Sequence, residues 1–407
     1  MTATFLFVLN NYNDVDQTAP LMHELLGEGH RVIVTTNGQY NLNSDIRIND
    51  LHNSLQFSVV TFNILKILNR NPSILTKGFR TLLFNKYLAM LLLMMWRVDL
   101  CLFTWCNPYR KGFQTKLFRA AKQLNVPNIC IPHGHNIFTN LAVNQHLKDF
   151  FEEKQHWPDF SARNSFDLYV VQTKHHRQRN IDWGMQPNKI VTWGSMRFHP
   201  RWIKHHQALC PIYKGFPTEP KSCLKIVFFI PHWHYNVEKQ LTIELLVALS
   251  RNSNILLAVK GHTRGDIIDH ASYRELTNLE NVDLNADAPS TALISWSDVV
   301  INFGSSIGHE ALIVGKPVIN PLFLHDNRTV YDNSGAVLDA KCTRDFTRLI
   351  DLALVGDLPK SKTVAINKFL STEVFGGDNE LDTTAAYAKS LITFSTSRNR
   401  DQSEQLP

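Results

Sequence analysis

Ile301 to Pro317 reads INFGSSIGHEALIVGKP, and the reading of this stretch decides the fold. The residues leading into it, DVVINF (298–303), are a short apolar run of strand length. IGHEALIVG then has the length and composition of a short helix, and KPVI opens another strand. Gly304, Ser305 and Ser306 therefore sit where a buried strand turns into a helix. In open α/β sheets ligands bind beyond the carboxyl ends of the strands. Small residues there let an anion approach the backbone closely, and free N–H groups at a helix start suit phosphate. Glu310, a turn and a half further on, is placed to accept hydrogen bonds from the two hydroxyls of a ribose. A purely architectural reading stands beside this one, in which Ser305 or Ser306 caps the helix.

Working outward, the same alternation fills the chain. TFLFVL is a strand, QTAPLMHELLGEG a helix, and HRVIVTT a strand. A helix-rich stretch from Leu55 to Trp96 follows, then DLCLFTW, the helix GFQTKLFRAAKQLN, and the strands NICIPHG and DLYVVQT. Continuous apolar strands alternating with helices predict parallel sheets covered on both faces. The segment 205–222 is polar, contains prolines and lacks periodicity, so it reads as a linker. KIVFFIP, NVEKQLTIELLVALS, NILLAVKG, VDLNA, STALISWS and DVVINF then build a second set. The expected organisation is α/β with two Rossmann-like domains, 1–204 and 223–394, and a polar tail over 395–407.

The chain has 407 residues, 44% hydrophobic and 19% charged, with a formal charge of +6. That supports two cores and excludes a disordered protein. The mild positive charge suits an anionic ligand or loose association with an anionic membrane surface, and no Lys/Arg block argues for nucleic acid. The six cysteines form no CxxC and read as reduced thiols of a cytoplasmic protein. The N-terminus lacks a basic n-region and reads as a first strand, not a signal peptide. The most membrane-like run, YLAMLLLMMW (87–96), is far shorter than the ~20 residues of a spanning helix. It reads as a core helix, with an interfacial contact as the alternative.

GHEALIVGKPVI after a strand and a small-residue turn resembles the nucleotide-binding segment of GT-B glycosyltransferases, of UDP-N-acetylglucosamine 2-epimerases and of CDP-glycerol glycerophosphotransferases. The resemblance implies that Gly304, Ser305 and Ser306 contact a diphosphate and Glu310 a ribose. Three further pieces are similar to GT-B proteins. LMHELLGEGHRVIVTT matches the first helix and second strand. NKIVTWGSMRFHPRW resembles the G-[ST]-x-R segment and brings in Arg197 as a nucleotide- or donor-binding residue. LLAVKGHTRGD resembles a K-x-H-x-R strand end and brings in Lys260, His262 and Arg264 as donor-binding residues.

CIPHGHN and IPHWHYN place His133 and His135 at one strand end and His232 and His234 at another. A histidine there can act as general base on an acceptor hydroxyl, its ordinary pKa being ~6.5. His133 is the first choice and His135 the second. The His-x-His pairs could instead ligate a metal, since i and i+2 share a strand face, and hydrogen-bonding loop histidines remain a further reading. The resemblance implies a metal-independent enzyme without a cofactor, using a nucleotide-sugar donor and a surface-polysaccharide or glycolipid acceptor, in the cytoplasm or at the inner membrane face. Its expected geometry lines one interdomain groove with His133, His262 and Ser305. The departures HNIFTN after HG and KGHTRG for K-P-H-P weaken a glycerophosphotransferase. An epimerase is disfavoured by the lack of convincingly placed carboxylates. A non-catalytic binding protein is the remaining alternative.

Overall fold

The computed structural model describes residues 2–61, 85–110, 112–140, 145–154, 158–262, 275–277, 279–284, 286–377 and 383–403. The chain divides into two compact units. Unit 1 comprises 1–135, 158–202 and 372–407, and unit 2 comprises 136–157 and 203–371.

Unit 1 is built on seven parallel strands. They are β1 (Thr4–Val8), β2 (Arg31–Thr36), β3 (Phe57–Thr61), β4 (Leu100–Thr104), β5 (Asn128–Ile131), β6 (Leu168–Val171) and β7 (Ile190–Thr192), in the order β3-β2-β1-β4-β5-β6-β7. Alternate residues of β1 feed opposite faces, as the pleat requires. Phe5 and Phe7 join a core with Val15, Leu21 and Leu25 of the Tyr12–Gly27 helix, whereas Leu6 and Val8 join another with Leu93, Leu117 and Phe118. Both faces are covered, which is why the strands are apolar without a break.

Unit 2 repeats the plan with six strands: β8 (Leu224–Phe229), β9 (Ile255–Lys260), β10 (Val282–Asp283), β11 (Val299–Asn302), β12 (Val318–Pro321) and β13 (Leu338–Ala340). Their order is β10-β9-β8-β11-β12-β13, again parallel throughout. Each sheet therefore reverses direction next to its first strand, at β1/β4 in unit 1 and β8/β11 in unit 2. These are the points where doubly wound sheets open a crevice for ligands.

The expected α/β class with two Rossmann-like units is what the chain adopts. The expected boundaries differ from the observed ones. The helix Pro200–Leu209 runs into the stretch read as a linker. The helix Thr383–Ser403 buries Tyr387, Ala388 and Leu391 in the core of unit 1, so the end of the stretch expected in the second domain, 372–394, belongs to unit 1. β3 falls in a region read as helical, and 62–84 lies outside the described residues. The first helix starts at Tyr12, earlier than expected, because Asn11 and Asp14 form a reciprocal capping box within what reads as a polar loop.

The helix Lys86–Trp96 buries Ala89, Leu93 and Trp96 but exposes Tyr87, Leu91, Met94 and Met95. The core-helix reading therefore holds for one face only. Among the described residues no helix is long and apolar enough to cross a membrane.

Candidate functional site

The residues picked out by sequence fall at the strand ends of both units. In unit 2, β9, β8 and β11 are neighbours, and their carboxyl ends carry Lys260 and His262, His232 and His234, and Gly304 to Ser306. The His232 ring lies 4.9 Å from that of His234 and 5.7 Å from that of His262, centroid to centroid. Gly304 has φ +72, and a Cβ there would meet Pro231 at 3.4 Å, so the β11 turn closes against the β8 loop as only glycine comfortably allows.

The motif has an internal scaffold. The Asn302 side-chain amide donates to the Ser305 carbonyl at 2.9 Å, and the Tyr331 hydroxyl donates to the same oxygen at 3.2 Å. In a trans peptide the next N–H points the opposite way, so pinning that carbonyl inward aims the Ser306 N–H away from the core. Gly308 is required because a Cβ would stand 2.8 Å from both Asn302 Nδ2 and the Tyr331 hydroxyl. His309 points inward, its Nδ1 3.0 Å from the Tyr331 hydroxyl. Capping does not exhaust the serines. Ser306 makes no side-chain cap bond, and Ser305 Oγ accepts from Ile307 N–H only at 3.4 Å. Glu310 is buried in the helix Ile307–Ile313.

Lys260 ends β9 with its Nζ 3.4 Å from the Ala286 carbonyl. Burial lowers its ammonium pKa from the ordinary value, against the opposing pull of Asp287 and Asp283. Arg264 lies outside the described residues.

Unit 1 holds a different set. His133 follows β5, and its Nδ1 lies 2.6 Å from Asp14 Oδ1, with Asp14 buried and His133 about a quarter exposed. The other oxygen of Asp14 accepts from Asn10 N–H at 2.7 Å and Asn11 N–H at 3.2 Å. An ionised Asp14 therefore fixes the imidazole with Nδ1–H toward it and leaves Nε2 as the proton acceptor. The Gly134 carbonyl is held by Gln172 Nε2 at 2.7 Å, which steadies this loop. His135 is buried, its ring packed edge-on against His176 and Phe198.

Arg197 also lies in unit 1, where its Nε donates to Asp16. Arg47 Nη1 reaches the other oxygen of Asp16 at 2.6 Å and forks onto Asp45 with bonds of 2.9 and 2.6 Å. The Tyr40 hydroxyl adds a bond to Asp45 at 2.8 Å, and the Arg47 guanidinium lies over Tyr12. Burial alone would raise the Asp45 carboxyl; the bonds from Arg47 outweigh it and hold Asp45 below the usual carboxylate range. Gly194, of the WGSMR motif, has φ +80, and a Cβ there would stand 2.9 Å from the Phe375 backbone. That glycine seats the C-terminal segment, whose Val374 carbonyl accepts from Ser195 N–H at 2.7 Å.

Sequence reading thus gathers Lys260, His262, Gly304, Ser305 and Ser306 at one edge of unit 2, and His133 and Arg197 among the strand ends of unit 1. It missed Asp14, Asp16, Asp45 and Arg47. The Asn-x-x-Asp spacing over 11–14 was the available signal for Asp14. Among the described residues, His133, His135, His232 and His234 belong to no three-ligand cluster.

No protein-family profile matches the chain, and no curated protein does. Solved structures do match over nearly its whole length. The UDP-GlcNAc 2-epimerase of Neisseria meningitidis, solved bound to UDP-GlcNAc, is 15% identical with a TM-score of 0.58, over 96% of this chain and 100% of that one. A glycosyltransferase from Rickettsia africae is 14% identical with a TM-score of 0.58, over 97% and 99%. The UDP-GlcNAc 2-epimerase of Methanocaldococcus jannaschii, in complex with UDP-GlcNAc and UDP, is 11% identical with a TM-score of 0.57, over 96% and 99%. The fold is the one shared by GT-B glycosyltransferases and these epimerases.

Proposed function

We propose that the protein is a glycosyltransferase that moves a sugar from a nucleotide-activated donor to a saccharide or glycolipid acceptor. The observation that carries this reading is the His133–Asp14 pair at 2.6 Å, set at the strand ends of unit 1. Nε2 of His133 takes the proton from an acceptor hydroxyl as its oxygen attacks the anomeric carbon. The bond from that carbon to the donor phosphate breaks, and the nucleotide leaves with the electron pair. Asp14 stabilises the imidazolium so formed. In unit 2 the Gly304–Ser306 turn, Lys260 and His262 take up the growing phosphate charge, and Glu310 takes the ribose. An arriving phosphate favours the ammonium form of Lys260 that burial disfavours. The exposed apolar face of Lys86–Trp96 supports a lipid-linked acceptor and residence at a membrane surface.

A second reading, a UDP-sugar 2-epimerase, is favoured by Asp14 and Asp16. They supply the buried carboxylates that sequence reading did not find, and Asp14 touches His133. The test incubates the protein with labelled UDP-, CDP- and CMP-sugars, with and without oligosaccharide acceptors, in D2O. Acceptor-dependent nucleotide release without deuterium at C2 is expected. Inversion and deuteration at C2 without an acceptor would establish the epimerase. No turnover of any donor would leave a binding protein.

A further inference from the structure

A cavity of about 530 Å³ opens in unit 1, lined entirely by residues of that unit. It lies at the switch point of the sheet. Asn10 follows β1, Asn37 follows β2, and Trp105 and Asn107 follow β4. Its size falls in the range of ligand sites, roughly 300–1,000 Å³. Asn10, Asn37, Gln39, Asn107 and Gln114 line it, so five amides bring donors and acceptors to its wall, the Asn37 and Asn107 oxygens already accepting from the Gln39 and Tyr109 N–H groups.

Trp105 is the unusual residue. Its φ is +45, a left-handed conformation that a bulky side chain rarely adopts. The Arg163 guanidinium lies 4.1 Å from the indole centroid, Phe160 packs edge-on at 5.8 Å, and Arg163 is itself buried. Trp105 nonetheless remains 53% exposed. The backbone is strained where a large aromatic ring lines a polar cavity, and such strain persists where surrounding contacts over-determine it.

The turn after β1 disfavours a phosphate at its own N–H groups. In doubly wound folds the switch point receives phosphate on free N–H groups after the first strand. Here the Asn10 and Asn11 N–H groups both donate to the Asp14 carboxylate, which fills the anion position with a fixed negative charge. Arg110, Arg163 and Asp159 line the cavity as well, so its walls carry charge of both signs; the ligand they suit is polar, rich in hydroxyls and uncharged beside the Asp14 turn, with an apolar face for the indole. A pyranose fits: its C–H face, slightly positive, rests on the negative face of the ring, and its vicinal hydroxyls meet the amides.

We propose that this cavity is a saccharide-binding site with Trp105 as its stacking platform. That it receives the acceptor sugar rests on the transferase reading above; that it binds a pyranose does not. The test is saturation-transfer NMR on the full chain with cellobiose, lactose and chitobiose, with uridine as a competitor and UDP affinity measured in parallel by calorimetry. Transfer to the ring C–H protons of at least one disaccharide is expected. Trp105→Gly relieves the positive φ, so thermal stability should hold while disaccharide affinity falls at least tenfold. Gln114→Ala, on the cavity wall, should weaken the same disaccharide several-fold, and neither change should move UDP affinity. No transfer to any disaccharide, undiminished transfer in both variants, or displacement by uridine would overturn the proposal. Disaccharide binding without donor turnover would sink the transferase and leave the cavity standing; donor turnover without disaccharide binding would do the reverse.

Discussion

The two units share one strand order over six strands, to which unit 1 adds a seventh, and differ in what they place on it. In unit 1 the turn after the first strand is closed by a carboxylate: Asp14 takes the N–H groups of Asn10 and Asn11 and holds His133 as well. In unit 2 the turn after β11 carries hydroxyls and glycine, with Ser306 making no side-chain cap bond and the Ser305 carbonyl turned inward by Asn302 and Tyr331. In unit 1 the carboxylate fills the turn itself, whereas in unit 2 the acidic residue, Glu310, stands within the helix that follows the turn. The first therefore suits proton transfer and neutral ligands, and the second suits an incoming anion. The lesson is that strand order sets where a ligand can sit, while whether a carboxylate takes the turn's own N–H groups, as Asp14 does, decides the sign of charge that turn suits.

The sharpest way to break this contrast is at His133. Removal of a general base costs about 10²–10⁴-fold in turnover. His133→Ala should show that loss with nucleotide affinity nearly constant, and Asp14→Asn should lose most of the same factor by releasing the imidazole tautomer. Steady-state rates with calorimetry on the free nucleotide check both. Full activity in His133→Ala would move the base to His135 or to the His232/His234 pair. An equal fall in nucleotide affinity would erase the division between the units.

Next in size is Arg47, which is almost fully buried between Asp45 and Asp16. Removing one partner of a buried ion pair costs about 3–5 kcal/mol because the other charge is left uncompensated. Urea unfolding of Arg47→Met should show a loss of that order, and Arg47→Met with Asp45→Asn should recover part of it. A loss below about 1 kcal/mol would mean that the network is open to water.

Glu310 sharpens the other side. Its loss of a charge-assisted bond to a ribose predicts about 1.5–3 kcal/mol in nucleotide affinity for Glu310→Gln, with the shape kept. Unchanged affinity for every nucleotide tested would return Glu310 to a structural role.

What could be read in advance follows from the range of the interactions. Apolar strands alternating with helices are local, so both sheets and the DVVINF–GSS–IGHE turn were legible. So were the histidines, because each closes an apolar strand. His133 and Asp14 are 119 residues apart, and Arg197 and Asp16 are 181 apart. No local pattern joins such pairs. β3 was hidden because its strand-forming QFSVVTF opens a long stretch whose composition reads as helix-rich. Trp105 was invisible for another reason: its significance lies in a backbone angle and in Arg163 beneath the ring, neither of which composition records.

The smallest effect concerns acid, and it tests whether the units respond separately. Each carries a buried histidine held neutral. In unit 1, burial lowers the pKa of His30, whose Nδ1 accepts from Ala3 N–H at 3.1 Å. In unit 2, burial lowers that of His325 against the upward pull of Asp332 and Asp326, with Arg328 adding to the lowering; its ring packs near Phe303. The unfolded chain takes these protons near the ordinary 6.5, and the folded chain only at lower pH. Between those values the unfolded state binds more protons, so stability rises with pH there. It is therefore intact above 6.5, declines as pH falls toward the lowered folded values, and levels off below them. His325→Phe should remove the share belonging to unit 2, and His30→Gln the share belonging to unit 1. Hydrogen exchange from pH 7.5 to 5 would locate each: amide protection in β8 and β11 should become less acid-sensitive in the first variant, and in β1 and β2 in the second. If both variants follow the parent curve throughout, the acid response lies in other groups. If either variant protects both sheets equally, the units unfold as one.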